Sequence, residues 1–76
     1  MQYIVRPQFE LFIKLNNGYW REIHKRDNCI ITLKDRVIEA TVLDIHEGEI
    51  EIVDKAQRKC CYIELDLIKE IKIIEA

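Results

Sequence analysis

The stretch from Asp35 to Ile52 constrains the fold more than any other. Ile38, Ala40 and Val42 point one way and Glu39 and Thr41 the other, which is the two-residue period of a half-buried strand. The phase then slips, because Leu43 and Ile45 are apolar while Asp44 and His46 are polar. A one-residue slip within a strand predicts a bulge or a sharp bend. Glu47-Gly48 turns the chain back, and Ile50 and Ile52 resume the inward phase with Glu49 and Glu51 facing water. A strand bent in this way serves two sides of a small core, as a small barrel requires.

Composition agrees with a β fold. Of 76 residues, fourteen are Ile, two are Gly and one is Pro, and β-branched side chains favour strands over helices. The length supports one domain over residues 1–76, because a second core would have nothing left to bury. A core this small is expected to lean on oligomerisation or a partner.

The rest of the chain divides into a lead-in, 1–28, and a barrel region, 29–76. Tyr3-Ile4-Val5 predicts a short strand that stops before Pro7. Phe9 to Ile23 has two readings. At helical spacing Phe9, Phe12, Ile13, Tyr19, Trp20 and Ile23 share a face, and Gly18 serves as a helix cap. At strand spacing Phe9, Leu11, Ile13 and Leu15 alternate with Glu10, Phe12 and Lys14, and Asn17-Gly18 makes a two-residue hairpin turn. That hairpin would pair Ile13 with Glu22, a poor match, so a helix is expected over Pro7–Asn16, with Tyr19–Arg26 open.

From Cys29 the alternation is regular. Cys29, Ile31 and Leu33 predict a first core strand and Lys34-Asp35-Arg36 a turn. Asp54–Lys59 predicts a polar loop, and Cys61, Ile63 and Leu65 the next strand. Leu65-Asp66-Leu67-Ile68 suits a single helical turn, and Ile71 and Ile73 mark a last strand.

This order of strands resembles a five-stranded Sm-like (SH3-like) small barrel, in particular the bacterial Rof and YolD-like variants. Leu65, Asp66 and Ile68 match the leucine-aspartate-x-isoleucine step before their last strand. Arg36 and Ala40 stand where that family places glycine. The resemblance covers residues 29–76 and implies a mainly β, strongly bent antiparallel barrel preceded by a helical or hairpin segment. It also implies a module that binds and does not catalyse. Relatives of this kind bind RNA, join edge to edge into rings, or act as protein inhibitors. Their RNA-site motifs are not visible here, so no RNA-binding residue is carried over.

Charge and chemistry narrow the functional classes. Net charge is −2, with six Lys/Arg against three acids in residues 1–34 and six against eleven in 35–76. A non-specific nucleic-acid binder normally carries a positive surplus to displace counterions from phosphate. There is no phosphate-binding glycine loop, no HExxH and no nucleophile elbow, so no enzyme is expected. His24, Cys29, His46, Cys60 and Cys61 lack the spacing of a zinc site, so no metal or cofactor is expected either. Three cysteines, two of them adjacent in a strand, do not make a disulfide framework. A reducing cytoplasmic setting is the expectation, without a signal peptide or membrane span.

Two surfaces remain. Glu39, Thr41, Glu49 and Glu51 face outward, as do the apolar or aromatic Val53, Tyr62 and Ile74, next to open strand edges at Cys60–Glu64 and Glu70–Ile74. This predicts a regulatory protein–protein module with a protein partner or a second copy. The alternative is RNA or single-stranded DNA bound by Tyr19, Trp20, Arg21, His24, Lys25 and Arg26 with Lys55, Arg58 and Lys59, where aromatics lie beside cations.

Overall fold

The structure, a computed structural model, describes residues 1–75. Its strands are β1 (Tyr3–Arg6), β2 (Glu10–Lys14), β3 (Trp20–Ile23), β4 (Asn28–Thr32), β5 (Val37–His46), β6 (Glu49–Asp54), β7 (Lys59–Glu64) and β8 (Glu70–Ile73). A single 3-10 turn, Leu65–Leu67, separates β7 from β8, where the sequence predicts one helical turn. The strands form two antiparallel sheets, of order β1-β2-β3 and β7-β6-β5-β4-β8. No helix among the described residues is long and apolar enough to cross a membrane.

The lead-in corrects the expectation of a helix over Pro7–Asn16. It is a three-stranded sheet, and the reason is one residue of loop. The β2–β3 connection is Asn16-Asn17-Gly18 rather than Asn17-Gly18, closed by Leu15 N donating to Tyr19 O at 2.7 Å and Gly18 N to Leu15 O at 3.0 Å. Gly18 takes φ +89°, the left-handed residue that ends a three-residue hairpin loop. The added residue moves Glu22 from Ile13 to Phe12 and sets Leu11 against Ile23. Leu11, Ile13 and Ile23 are then all buried, and the mismatch that disfavoured a hairpin is gone. Phe9, Tyr19 and Trp20, the intended core of the helix, lie exposed. Phe12 is half-buried beneath the Arg6 guanidinium, which sits 4.9 Å from the ring centre.

The larger sheet follows the predicted alternation. On β5, Ile38, Ala40, Val42 and Ile45 are buried. Val42 pairs with Ile52 and Asp44 with Glu51, so Leu43 is the extra residue of a β-bulge at the expected phase slip. The Glu47-Gly48 turn sets His46 opposite Glu49. Asp54, the one buried acidic side chain among the described residues, accepts the Ala56 N–H at 2.9 Å and the Gln57 N–H at 3.3 Å, which shapes the β6–β7 turn.

The expectation of a five-stranded barrel is also corrected. The five-stranded sheet stays open, with β7 and β8 as its unpaired edges. The small sheet covers it: Leu11, Ile13 and Ile23 join Ile31, Ile50, Ile52, Leu65 and Ile71 in one core. A five-stranded sheet left open would expose these aliphatics, and each side chain fully buried contributes about 1.5–3 kcal/mol. Polar ties fasten the two sheets at their rims. Tyr3 Oη donates to Asp66 Oδ1 at 2.5 Å, Arg21 pairs with Glu75 at 2.6 Å, and Lys25 reaches Asp44 at 3.5 Å.

Candidate functional site

The outer face of β5, β6 and β7 gathers the predicted partner-binding residues, and the strand registers fix their arrangement. Residues opposite one another across antiparallel strands share a face. One row therefore runs His46, Glu49, Glu64, the next Asp44, Glu51, Tyr62, and the third Thr41, Val53, Cys60. Glu39 lies two residues beyond Thr41 on the same side, opposite Ile30 of β4. Ile74, 39 % exposed, lies across β4, where its N–H donates to Asn28 O. The face thus holds Glu39, Asp44, Glu49, Glu51 and Glu64 around half-buried Val53 and exposed Tyr62. Thr41 Oγ1 donates to Asn28 Oδ1 at 2.9 Å.

His46 sits at the centre of the charge. Its Nε2 lies 3.0 Å from Glu51 Oε1, and its ring packs against Tyr62 with centroids 5.4 Å apart. Asp44 Oδ1 accepts the Ile45 N–H at 2.8 Å, and that bond, aided by the Lys25 ammonium and His46, holds the Asp44 carboxyl below its ordinary range. The negative charge of Glu51, with smaller effects of burial and Glu49, pushes the Tyr62 phenol up. The surface therefore carries negative potential at neutral pH.

Sequence reasoning places Glu49, Glu51 and Tyr62 on this face but misses that Asp44, His46 and Glu51 converge, with ligating atoms within 4.8 Å of one another. Linear spacing hides a cluster that crosses two strands. The signal was present: a two-residue turn at Glu47-Gly48 sets residue 46 against 49, and hence 44 against 51. The five residues weighed for zinc in the sequence do not assemble. Cys29 is buried, Cys60 is exposed on β7, and His24 lies 3.3 Å from Glu22 in the β3–β4 region.

The basic and aromatic set is divided. Lys55 and Arg58 lie in the β6–β7 turn and Lys59 begins β7, at one edge of the large sheet. Tyr19, Trp20 and Arg21 belong to the β2–β3 hairpin, whose Gly18 and Arg21 line a groove with Lys69–Ile73 at the other edge. Two of the cations are matched by acids, Arg21 by Glu75 and Lys25 by Asp44, and the His24 ring lies 3.3 Å from Glu22 and 3.9 Å from Asp27. Tyr19 and Trp20 are 71 % and 45 % exposed, and Arg26 holds φ +76° at the turn into β4, where its N–H donates to Val42 O. The same groove is lined by Lys14, Lys69 and Lys72 together with Glu70 and Glu75, a mixed-charge lining that the sequence reading did not identify.

The thiols lie in different surroundings. Burial first, and then the Asp27 charge, push the Cys29 thiol up to about 11, the reverse of what an activated nucleophile needs. Comparison with protein-family models, with curated proteins and with solved structures finds no match to this chain.

Proposed function

We propose that the protein is a non-catalytic, regulatory binding module that recognises a cationic segment of a protein partner on the outer face of β5–β7. One observation carries this reading: five carboxylates share that face with an exposed tyrosine and a half-buried valine, beside the free edge of β7. Lysine or arginine side chains of a partner would meet Glu49, Glu51 and Glu64, and its apolar groups would cover Val53 and Tyr62. The β7 edge offers backbone N–H and C=O groups to an added strand, which would give affinity independent of side chains. A second copy supplying that strand is the homo-oligomeric form of the same reading. The resemblance of residues 29–76 to Sm-like small barrels, though the sheet here stays open, supports a binding role by analogy alone. The raised Cys29 pKa and the engagement of Thr41 by Asn28 support the absence of nucleophilic catalysis.

Affinity capture from native lysate, with and without nuclease, tests the proposal. The expected result is a protein captured regardless of nuclease and lost, by tenfold or more, with Glu49→Lys/Glu51→Lys. Capture abolished by nuclease and unaffected by that double substitution would transfer the function to nucleic acid and to the cationic residues instead.

A further inference from the structure

We infer that Asp44, His46 and Glu51 form a binding site for a divalent transition-metal ion of the zinc class. The site lies on the face described above but does not depend on a protein partner. Its ligating atoms are within 4.8 Å of one another, and His46 Nε2 and Glu51 Oε1 are already 3.0 Å apart. Two ligands of one zinc ion, each bonded at about 2.0–2.2 Å, stand roughly 3–3.5 Å from each other. The pair has that spacing, and Asp44, whose Oδ1 accepts the Ile45 N–H at 2.8 Å, would complete the set by rotating its carboxylate toward them.

The backbone makes these positions stiff. Asp44 and His46 are two residues apart on β5, and Glu51 is the cross-strand partner of Asp44 on β6. Glu51 is laddered on both sides, to Asp44 of β5 and to Tyr62 of β7, while Asp44 and His46 are held by the β6 ladder, the β4 ladder ending at Thr41. The bulge at Leu43 turns Asp44 and His46 outward together. Tyr62 packs on the His46 ring and restrains its plane.

The donor set selects the ion. One imidazole with two carboxylates suits zinc, manganese or iron(II), whereas calcium and magnesium take oxygen ligands. Three protein ligands leave coordination positions open to water, so the site is an open one and not a structural zinc knot. The two carboxylates, Asp44 and Glu51, supply negative charge that a divalent ion would offset. The Lys25 ammonium, 3.5 Å from Asp44 Oδ1, now supplies part of that positive charge and would compete with the metal.

The test is titration of the full chain with Zn²⁺, carrying Cys60→Ser/Cys61→Ser so that thiols do not compete, and followed by NMR of the two histidine rings. The expected result is saturable binding that shifts the His46 ring before that of His24. His46→Ala should weaken it at least tenfold, Glu51→Gln severalfold, and Lys25→Gln should tighten it by removing the competing cation. His46→Gln, closer in size, provides the same reading if His46→Ala perturbs the fold by circular dichroism. Binding that survives loss of His46, a first shift at His24, or no saturation by about 1 mM Zn²⁺ would overturn the site.

Discussion

Leu11→Ala asks whether the N-terminal sheet is part of the fold or an attachment to it. Leu11 is 0 % exposed and belongs to the same core as Ile31, Ile50 and Leu65. Truncating it removes the transfer free energy of the lost carbons and leaves a cavity that neighbours fill only in part. Leucine truncations at such sites cost about 2–5 kcal/mol. A chain of this length has a total stability of roughly 4–11 kcal/mol, so the substitution removes a large fraction of it. At about 4–8 °C per kcal/mol for a domain of this size, the corresponding fall in Tm is about 8 °C at the least and up to about 40 °C. The protein carries its own probe, because the single tryptophan, Trp20, lies in β3 of the small sheet. Urea unfolding followed by Trp20 fluorescence and by far-ultraviolet circular dichroism should give coincident transitions, in the parent and in Leu11→Ala, with both shifted together. A fluorescence transition that moves alone, while the dichroism of the larger sheet stays in place, would refute the shared core and make residues 1–28 a separate unit.

Other substitutions test individual features. Cys60 should react with a disulfide reagent in the folded protein and Cys29 should not, and reaction of both at equal rates would contradict the burial of Cys29. The Cys29 thiol is raised to about 11 when folded, so the unfolded chain loses that proton first as pH rises. Stability should therefore be intact below about pH 8.5 and fall by on the order of 2–3 kcal/mol toward pH 11, a slope that Cys29→Ala flattens in urea titrations. Asp54→Ala, which strands the Ala56 and Gln57 N–H groups, should cost about 1–3 kcal/mol. Asp54→Asn keeps an acceptor and should cost less than half as much; equal losses would deny the turn hydrogen bonds their role. Gln8 holds φ +68° in the β1–β2 turn, so Gln8→Gly should raise stability by about 0.5–1 kcal/mol, and a fall would assign the turn to the Gln8 side chain.

Legibility of the fold differs sharply along the chain, for a physical reason. In residues 29–73 each strand buries aliphatics at alternate positions and sends polar or charged groups to the other side, so only one register is acceptable. Strands, turns, the bulge and both free edges could be read from that pattern. In the lead-in, Phe9, Leu11, Phe12, Ile13 and Leu15 satisfy a helical period and a strand period together, and the outcome turns on loop length. A two-residue loop places Ile13 against Glu22, and a three-residue loop places Leu11 against Ile23. No local signal separates those choices; burial against the other sheet does. The outward acids were legible for the same reason as the core, being its complement. The grouping of Asp44, His46 and Glu51 was harder to see, because it crosses two strands and emerges only when the register set by the Glu47-Gly48 turn is followed from one strand to the other.

Leu43 is therefore the residue on which core and surface depend together. If the ladder ran unbroken past Val42, alternation would send Asp44 and His46 into the core and Ile45 into water. Burying a charged carboxylate and an imidazole without partners costs several kcal/mol, far more than leaving one leucine 36 % exposed and one ladder position unpaired. The bulge is thus the cheaper arrangement for this sequence on grounds of burial alone. Its consequence reaches the surface: the shift that returns Ile45 to the core also turns Asp44 and His46 outward, where the Glu47-Gly48 turn has set Asp44 opposite Glu51. The acidic face and its central histidine follow from the packing requirement of a single strand, so a change that removes the bulge must alter the core and the candidate site at once.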